Sequence, residues 1–593
     1  MSGAQSDPSQ RGTLEAHFRA TGLWTPETLV ERVRAHARAR PDALAIVDAA
    51  DDGDPHARTT YAQLWREALR VAAFLRARGV RPGDGVSVQL PNRRATAIVD
   101  LGVLAAGAVL NPLLPGYRAH ELRHILTASR ARVWVTPVDD RGFDHLAMAR
   151  ALRTELPALH THVVVGPASA HGDAPRAGEL RLDAILGEAA SPASAPDESD
   201  LPALDARAVS ELIFTSGTES TPKAILHSEE TANASVRAAI DAMQLGPDDV
   251  VFMPSPIGHS TGLNFGLRLA LHAGLPIVLQ DRWDARRAAE LIERERCSYT
   301  LAATTFLSDL VRSLGERPRD VASMRCFGCG GAPVPPELVV AADALGLRVL
   351  RIYGSTEGLV LTWNRPGTPL ALRARTDGPP LPNVELEIRD EEDRAVAAGV
   401  AGEIHVRGPS VCVGFFEDPE RMARTFTPDG WLRSGDLGIV DDAGHLTIVG
   451  RKKEIIIRGG LNIAPREIED LLCEMPGVRA AACIGLPDER LGEIVCACLV
   501  VDPAAQSTAP APPSAAGGPD ARPPITLDDV TAFLRGRDLA VYKLPQALRL
   551  VPAIPTTASG KLRKAALREA ILAESPAPAP AGLGGPRAAK EKT

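Results

Sequence analysis

The sequence predicts an α/β fold built around largely buried sheets. Three observations predict it. Residues 24–165 alternate helical and strand-like apolar patterns. The strand-like runs are short and almost continuously apolar, as strands covered on both faces require. Far downstream, a second strand-and-helix pattern follows residue 450, with a strand-like run at 495–501 and a helical run at 527–535.

Taken in order, residues 28–37 read as an amphipathic helix and 43–47 as a strand. Residues 60–78 form a long helical run with Leu64, Ala68, Val71 and Leu75 on one face. A short strand at 86–90 precedes a nearly all-apolar helix at 95–106, and further strands are expected at 131–136 and 162–165. Residues 192–202 are a Pro/Ser/Asp-rich connector. Residues 503–524 are Ala/Pro/Gly-rich and low in complexity, so a disordered loop is expected there.

With 593 residues the chain can hold two or more domains. Apolar residues make up 45% and charged residues 24%, an ordinary globular balance. The net charge of −8 argues against a nucleic-acid partner. Residues 1–12 lack the apolar core of a signal peptide, and no apolar run reaches membrane-spanning length. Eight scattered cysteines argue against a disulfide scaffold and for a reducing cytoplasm. Cys326 and Cys329 form a lone CxxC without the second pair or histidines that zinc needs, and Cys496 and Cys498 alternate along a strand; all are read as structural.

The most informative loop is Ile213-Phe214-Thr215-Ser216-Gly217-Thr218-Glu219-Ser220-Thr221-Pro222-Lys223. Small residues expose backbone N–H groups, hydroxyls add donors and Lys223 adds positive charge, which together suit a triphosphate. A Ser/Thr-rich turn is the plain alternative. Walker A is excluded, because Lys223 follows Pro222 and Gly560-Lys561 is followed by Leu562.

Further along, residues 254–262 (Pro-Ser-Pro-Ile-Gly-His-Ser-Thr-Gly) read as a loop in which His259 borders a cavity or simply caps a turn. No Asp or Glu occurs from Phe252 to Phe265, so nothing there would hold an ammonium group. Ile257, Leu263 and Phe265 suit an apolar acid, and Asn264 could serve one hydroxyl or carbonyl. Cys329-Gly330-Gly331-Ala332-Pro333 and Tyr353-Gly354-Ser355-Thr356-Glu357-Gly358 both read as turns after strands. Asp436 follows a tight turn, where it caps its own backbone or accepts from two ribose hydroxyls. Residues 450–469 begin Gly-Arg-Lys-Lys-Glu and contain Gly459-Gly460; Lys561 lies on a Gly-containing loop near the end, where a solvated lysine is the alternative.

Together these motifs, in this order, resemble the adenylate-forming superfamily of acyl-CoA synthetases, peptide-synthetase adenylation domains and luciferase. The resemblance spans about residues 24–574 and implies a large N-terminal domain of stacked α/β sheets at 24–450 and a small mobile α+β C-terminal domain at 451–574, after an extension at 1–23 and before a disordered tail at 575–593. It implies that Thr215, Ser216, Gly217, Thr218 and Lys223 hold the ATP phosphates, with Gly331, Ala332, Tyr353, Gly354, Asp436 and Arg451 around the rest of the nucleotide. It implies that Tyr353 stacks on adenine, Thr356 meets the α-phosphate and Glu357 is the Mg²⁺ ligand. His259 would stand between the acyl pocket (Ile257, Leu263, Phe265, Gly330) and the nucleotide. Lys561 would be the catalytic cation, Lys453 the hinge, and Gly459 and Gly460 the walls of a pantetheine tunnel. The phosphate loop departs from the family at Glu219, Ser220 and Ala224, where Thr, Gly and Gly are usual; a carboxylate beside a triphosphate repels it unless turned away or met by a cation.

The implied activity is ATP-dependent ligation of a medium-chain, alicyclic or aromatic carboxylic acid to coenzyme A, with ATP, Mg²⁺ and coenzyme A required. An acyl carrier protein is the alternative acceptor. A nucleotide-binding protein that no longer turns over is a third reading, resting on Glu219 alone.

Overall fold

The computed structural model describes residues 8–49, 57–166, 176–187, 198–215, 222–458, 461–488, 490–502, 525–537, 539, 541–556 and 562–574. The expected connector at 192–202 is described only from Glu198, and 503–524 and 575–593 lie outside the described residues. The chain divides into two compact units. One runs to Lys453; the described part of the other comprises residues 454–556 and 562–574.

The larger unit is built on two eight-stranded sheets. The first is ordered Leu359–Trp363, Val349–Ser355, Cys326–Cys329, Tyr299–Ala302, Val251–Met253, Ile277–Leu279, Leu44–Asp48 and Arg58–Thr60. Its six central strands are parallel, with antiparallel strands at both edges. The second is ordered Gly414–Phe415, Lys223–Ser228, Val209–Thr215, Val109–Pro112, Gly85–Val88, Val133–Pro137, Thr161–Val165 and Glu179–Arg181. A four-stranded antiparallel sheet, Glu385–Arg389, Gly402–Arg407, Leu432–Val440 and Leu446–Arg451, completes the unit.

Local chemistry explains the framework. The helices Leu29–Ala39 and Tyr61–Ala77 each begin with a capping box, Thr28 with Glu31 and Thr60 with Gln63. The helix Arg94–Ala105 is apolar on every side because it is buried on every side. It packs on Tyr61–Ala77 so closely that a Cβ on Gly102 would stand 2.5 Å from Val71 Cβ. The 1–23 extension carries the helix Pro8–Ala20, whose Phe18 clusters with Trp24 and Ala234, while Arg11 donates to the Val413 carbonyl at 2.7 Å.

The smaller unit has a five-stranded sheet of Leu461–Ile463, Ile456–Arg458, Gly492–Val501, Val478–Asp488 and Ala547–Leu550. The helices Pro465–Cys473, Leu527–Arg535 and Lys564–Glu574 accompany it. Cys496 and Cys498 lie on Gly492–Val501 and are buried, as Cys326 and Cys329 are in their own strand. Among the described residues no helix is long and apolar enough to cross a membrane.

Candidate active site

The phosphate-loop segment is a hairpin. Val209–Thr215 pairs antiparallel with Lys223–Ser228, and Thr215 lies opposite Lys223. Ser216, Gly217 and Thr218 lie outside the described residues, as do Gly459, Gly460 and Lys561; their flanks are placed. Arg458 pairs with Leu461 across Gly459-Gly460, and Thr556 bridges Leu562 across the segment that holds Lys561.

Lys223 Nζ lies 2.8 Å from Glu357 Oε1. Burial alone would raise the Glu357 carboxyl, but the Lys223 charge and its hydrogen bond outweigh it, so the group is held below the usual range. Thr356 is buried beside it, and its carbonyl accepts from His227 Nε2 at 2.8 Å. A carbonyl only accepts, so His227 carries its proton on Nε2. Burial pushes this imidazole's pKa down, against the pull of Glu211, and keeps it neutral. His227 was not singled out from the sequence; its inward place on the strand Lys223–Ser228 is the signal that could have found it.

Tyr353 and Gly354 belong to the strand Val349–Ser355 itself. The Tyr353 ring is 6% exposed and packs in a cluster with Ile225, Leu361 and Phe415. Its hydroxyl donates to Asp436 Oδ2 at 2.9 Å. A Cβ on Gly354 would collide with the Leu359 carbonyl, so glycine is required there.

Asp436 sits on a strand, not after a tight turn as expected. Ser434, Gly435 and Asp436 bulge out of Leu432–Val440 opposite the single residue Ile404, with Gly435 at φ +74°. The bulge delivers the Asp436 carboxylate to Tyr353 on one oxygen and to Arg451 Nε, 2.9 Å from Oδ1, on the other. Arg451 is also its partner across the ladder.

A narrow cavity of about 70 Å³ borders Thr356. Phe265 and Gly330, expected at the acyl pocket, line it together with His259 and with Gly331 and Gly354, which were expected at the nucleotide; Phe306 and Ile352 add apolar walls that the motifs did not reveal. Among the described residues that line it, none is Asp, Glu, Lys or Arg. Gly330 keeps it open at one wall, since a Cβ there would stand 2.6 Å from the Ile352 carbonyl oxygen. Leu359 lines it at φ +56°, a strained value for a bulky side chain. His259 caps the helix Ser260–Gly262, its Nδ1 accepting from the Thr261 N–H at 3.2 Å. Ala332, half-buried, follows Gly331, which has φ +78°.

Two corrections arise here. Ile257 and Leu263 do not border the cavity; both are buried in the main apolar core. Asn264 is fully buried and donates to Glu211 Oε2 at 2.9 Å, so its NH2 group is committed to the protein, while its Oδ1 has no hydrogen-bond partner among the described residues. The reason is an element that sequence periodicity does not signal: Leu263–Arg268 is wound as a π-helix. Its winding turns Phe265 to the cavity and Asn264 and Arg268 toward a buried ionic network. Arg268 contacts Glu211 at 2.6 Å and Glu229 at 2.9 Å, all three nearly inaccessible. Burial, then Glu211, raises the nearby Asp100 carboxyl well above its usual range, so it stays protonated.

The AMP-binding enzyme family matches residues 33–416, and the AMP-binding enzyme C-terminal domain matches 467–561. The chain belongs to this family, the adenylate-forming superfamily that the ordered motifs resemble, and is a carboxylate-activating ligase. It is 33% identical over 561 residues to the medium-chain fatty-acid–CoA ligase of Escherichia coli (strain K12), covering 94% of this chain and 93% of that one. It is 35% identical to the salicyl-AMP ligase / salicyl-S-ArCP synthetase of Mycobacterium tuberculosis (strain ATCC 25618 / H37Rv), covering 93% and 92%. Among solved structures, ATP-bound MatB from Rhodopseudomonas palustris superposes with a TM-score of 0.76 at 28% identity, over 91% of this chain and 98% of that one.

Proposed function

We propose that this enzyme ligates an apolar carboxylic acid, medium-chain, alicyclic or aromatic, to coenzyme A through an acyl adenylate. The observation that carries the reading is the uncharged, largely apolar cavity that ends at Thr356, beside the Lys223–Glu357 pair. A zwitterionic acid would leave its ammonium unpaired there. The names of the CoA-ligase relatives support the same acid classes.

In the first half-reaction a carboxylate oxygen attacks the α-phosphorus of ATP. The new C–O–P linkage forms, the bond to the β-phosphate bridge breaks, and pyrophosphate leaves. Both reactants are anionic, so positive charge must be fixed where charge develops. Lys223 steadies the departing phosphates, together with Thr215, Ser216, Gly217 and Thr218. Lys561 is the cation assigned to the reacting carboxylate and α-phosphate. Asp436, braced by Tyr353 and Arg451, is assigned to the ribose. Glu357 fits a Mg²⁺ site: magnesium binds through one or two protein carboxylates plus substrate phosphates, and the site offers one buried, ionised carboxylate. When bound, the ion neutralises phosphate charge.

In the second half-reaction a thiol sulfur attacks the acyl carbon. The C–S bond forms, the C–O bond to AMP breaks, and the thiol proton is released. We assign the turn between half-reactions to Lys453, where the chain passes from one compact unit to the other. We assign the pantetheine path to Gly459 and Gly460.

A panel of carboxylic acids, read by pyrophosphate release with and without coenzyme A, tests this function. Release with octanoate, cyclohexanecarboxylate or benzoate, and acyl-CoA in the product, is expected. Release only with amino acids would overturn it. The salicyl-S-ArCP synthetase relative favours a second acceptor, a carrier-protein pantetheine; mass spectrometry of reactions with each thiol separates the two.

A further inference from the structure

A second cavity of the larger unit is far roomier than the acyl pocket, about 690 Å³ against about 70 Å³, and shares no lining residue with it. It opens near the C-terminal end of the helix Glu229–Met243, whose other end follows the phosphate-loop hairpin; at 1.5 Å per residue that helix spans roughly 20 Å. Three guanidiniums line it, from Arg32, Arg40 and Arg237, against a single carboxylate, Asp241. His272 lines it as well.

The arginines are fixed mostly without being neutralised. Arg40 donates to the Gly274 carbonyl at 3.0 Å. Arg237 donates to Thr25 Oγ1 at 3.0 Å and to the Leu23 carbonyl at 2.5 Å. Arg32 reaches a carboxylate, Glu27, only at 3.6 Å. Two polar atoms of the wall, Arg32 Nε and His272 Nδ1, are buried without any hydrogen-bond partner. Burial, and after it the charges of Arg32 and Arg237, depresses the His272 imidazole to about 3, so the ring is neutral. The chain as a whole is acidic, with net charge −8, so this is not a general basic surface. Like charges gathered on one wall repel one another until an anion joins them. Guanidinium forks match phosphate oxygens in pairs, and unused N–H groups at a buried wall supply further donors.

We propose that this cavity binds a small phosphate-bearing anion, at a site separate from those for the acid and the nucleotide. The inference does not depend on which acid is activated.

The test uses the full chain carrying Lys223→Ala, which removes a phosphate-holding group from the hairpin. Inorganic phosphate, and separately citrate, is titrated calorimetrically at low ionic strength, and crystals are soaked in tungstate. One phosphate site should survive Lys223→Ala. A tungstate peak should lie within hydrogen-bond reach of Arg32, Arg40 and Arg237. Adding Arg32→Gln with Arg40→Gln should weaken phosphate about tenfold or more at an unchanged melting temperature, the loss of at least one charge-assisted contact. Should that pair of changes unfold the protein, Arg32→Lys and Arg32→Gln are compared singly, with the lysine variant binding phosphate more tightly. Phosphate affinity indifferent to these substitutions, or tungstate found only elsewhere, overturns the proposal. Citrate binding at least about tenfold tighter than phosphate also overturns it, assigning the cavity to carboxylates instead.

Discussion

Lys223 and Glu357 neutralise each other across 2.8 Å, although each is assigned a different part of the same nucleotide: the lysine its phosphates, the glutamate its magnesium. The pair holds both charges at a partly exposed place, where the proposed mechanism has the nucleotide phosphates take over Lys223 and leaves Glu357 as the carboxylate that would hold the metal. Glu357→Gln should lower the rate of ATP–pyrophosphate exchange by about 10² or more, comparable to losing one charge-stabilising group. It should also flatten the acid limb of stability. Glu357 is held below its ordinary value, so its contribution is present above the unfolded pKa and lost as pH falls through the folded one. Melting temperatures from neutral pH down into the acid range should converge for wild type and variant. A constant gap would contradict the assignment.

In the proposed mechanism Lys561 serves the first half-reaction and Lys453 the passage to the second. Lys561→Ala should slow adenylation by about 10²–10³. Lys453→Pro should spare ATP–pyrophosphate exchange and block thioester formation. Equal loss of both activities in the proline variant would count against a hinge there.

With the narrow cavity as the proposed acyl pocket, its wall would set which acid fits. Phe306→Ala removes an apolar wall and should shift preference toward bulkier acids, changing the ratio of kcat/KM between a bulky and a small acid by roughly 10–200-fold, the scale of hydrophobic size discrimination. Competition assays with paired acids measure this ratio. The same change at Leu263, which does not border the cavity, should leave the ratio unaltered while lowering stability.

Arg268→Met strands Glu211 and Glu229 in the interior. A loss of about 3–5 kcal/mol in urea unfolding is expected, because a buried carboxylate without its partner is costly. Adding Glu211→Gln to that background should restore part of it.

Much of the framework could be read from the sequence because local chemistry dictates it. The helix expected at 527–535 is Leu527–Arg535, and the apolar helix expected at 95–106 is Arg94–Ala105. Strands expected at 43–47 and 162–165 appear as Leu44–Asp48 and Thr161–Val165. Each has an apolar period or a cap that its own residues specify. What escaped reading depends on tertiary partners. Leu263 and Phe265 have the same apolar character and both join the main core, but in the π-wound segment only Phe265 also borders the cavity. Asp436 looked like a turn residue because Gly435 precedes it, but the neighbouring strand converts that kink into a bulge. His227 is one polar residue in an apolar strand, and its role emerges only when Thr356 arrives behind it.

The Asp436–Arg451 contact reaches beyond nucleotide holding. Arg451 ends its strand with its guanidinium on Asp436, and the next residue, Lys452, places its ammonium 2.9 Å from Glu403 Oε2. Two successive rivets thus fasten the backbone to the large body, immediately ahead of Lys453. For the hinge proposed at Lys453, these two ion pairs are the last side-chain ties to the larger unit before it. Inserting a single residue after Lys452 should then lower thioester formation more than ATP–pyrophosphate exchange, read by assaying both.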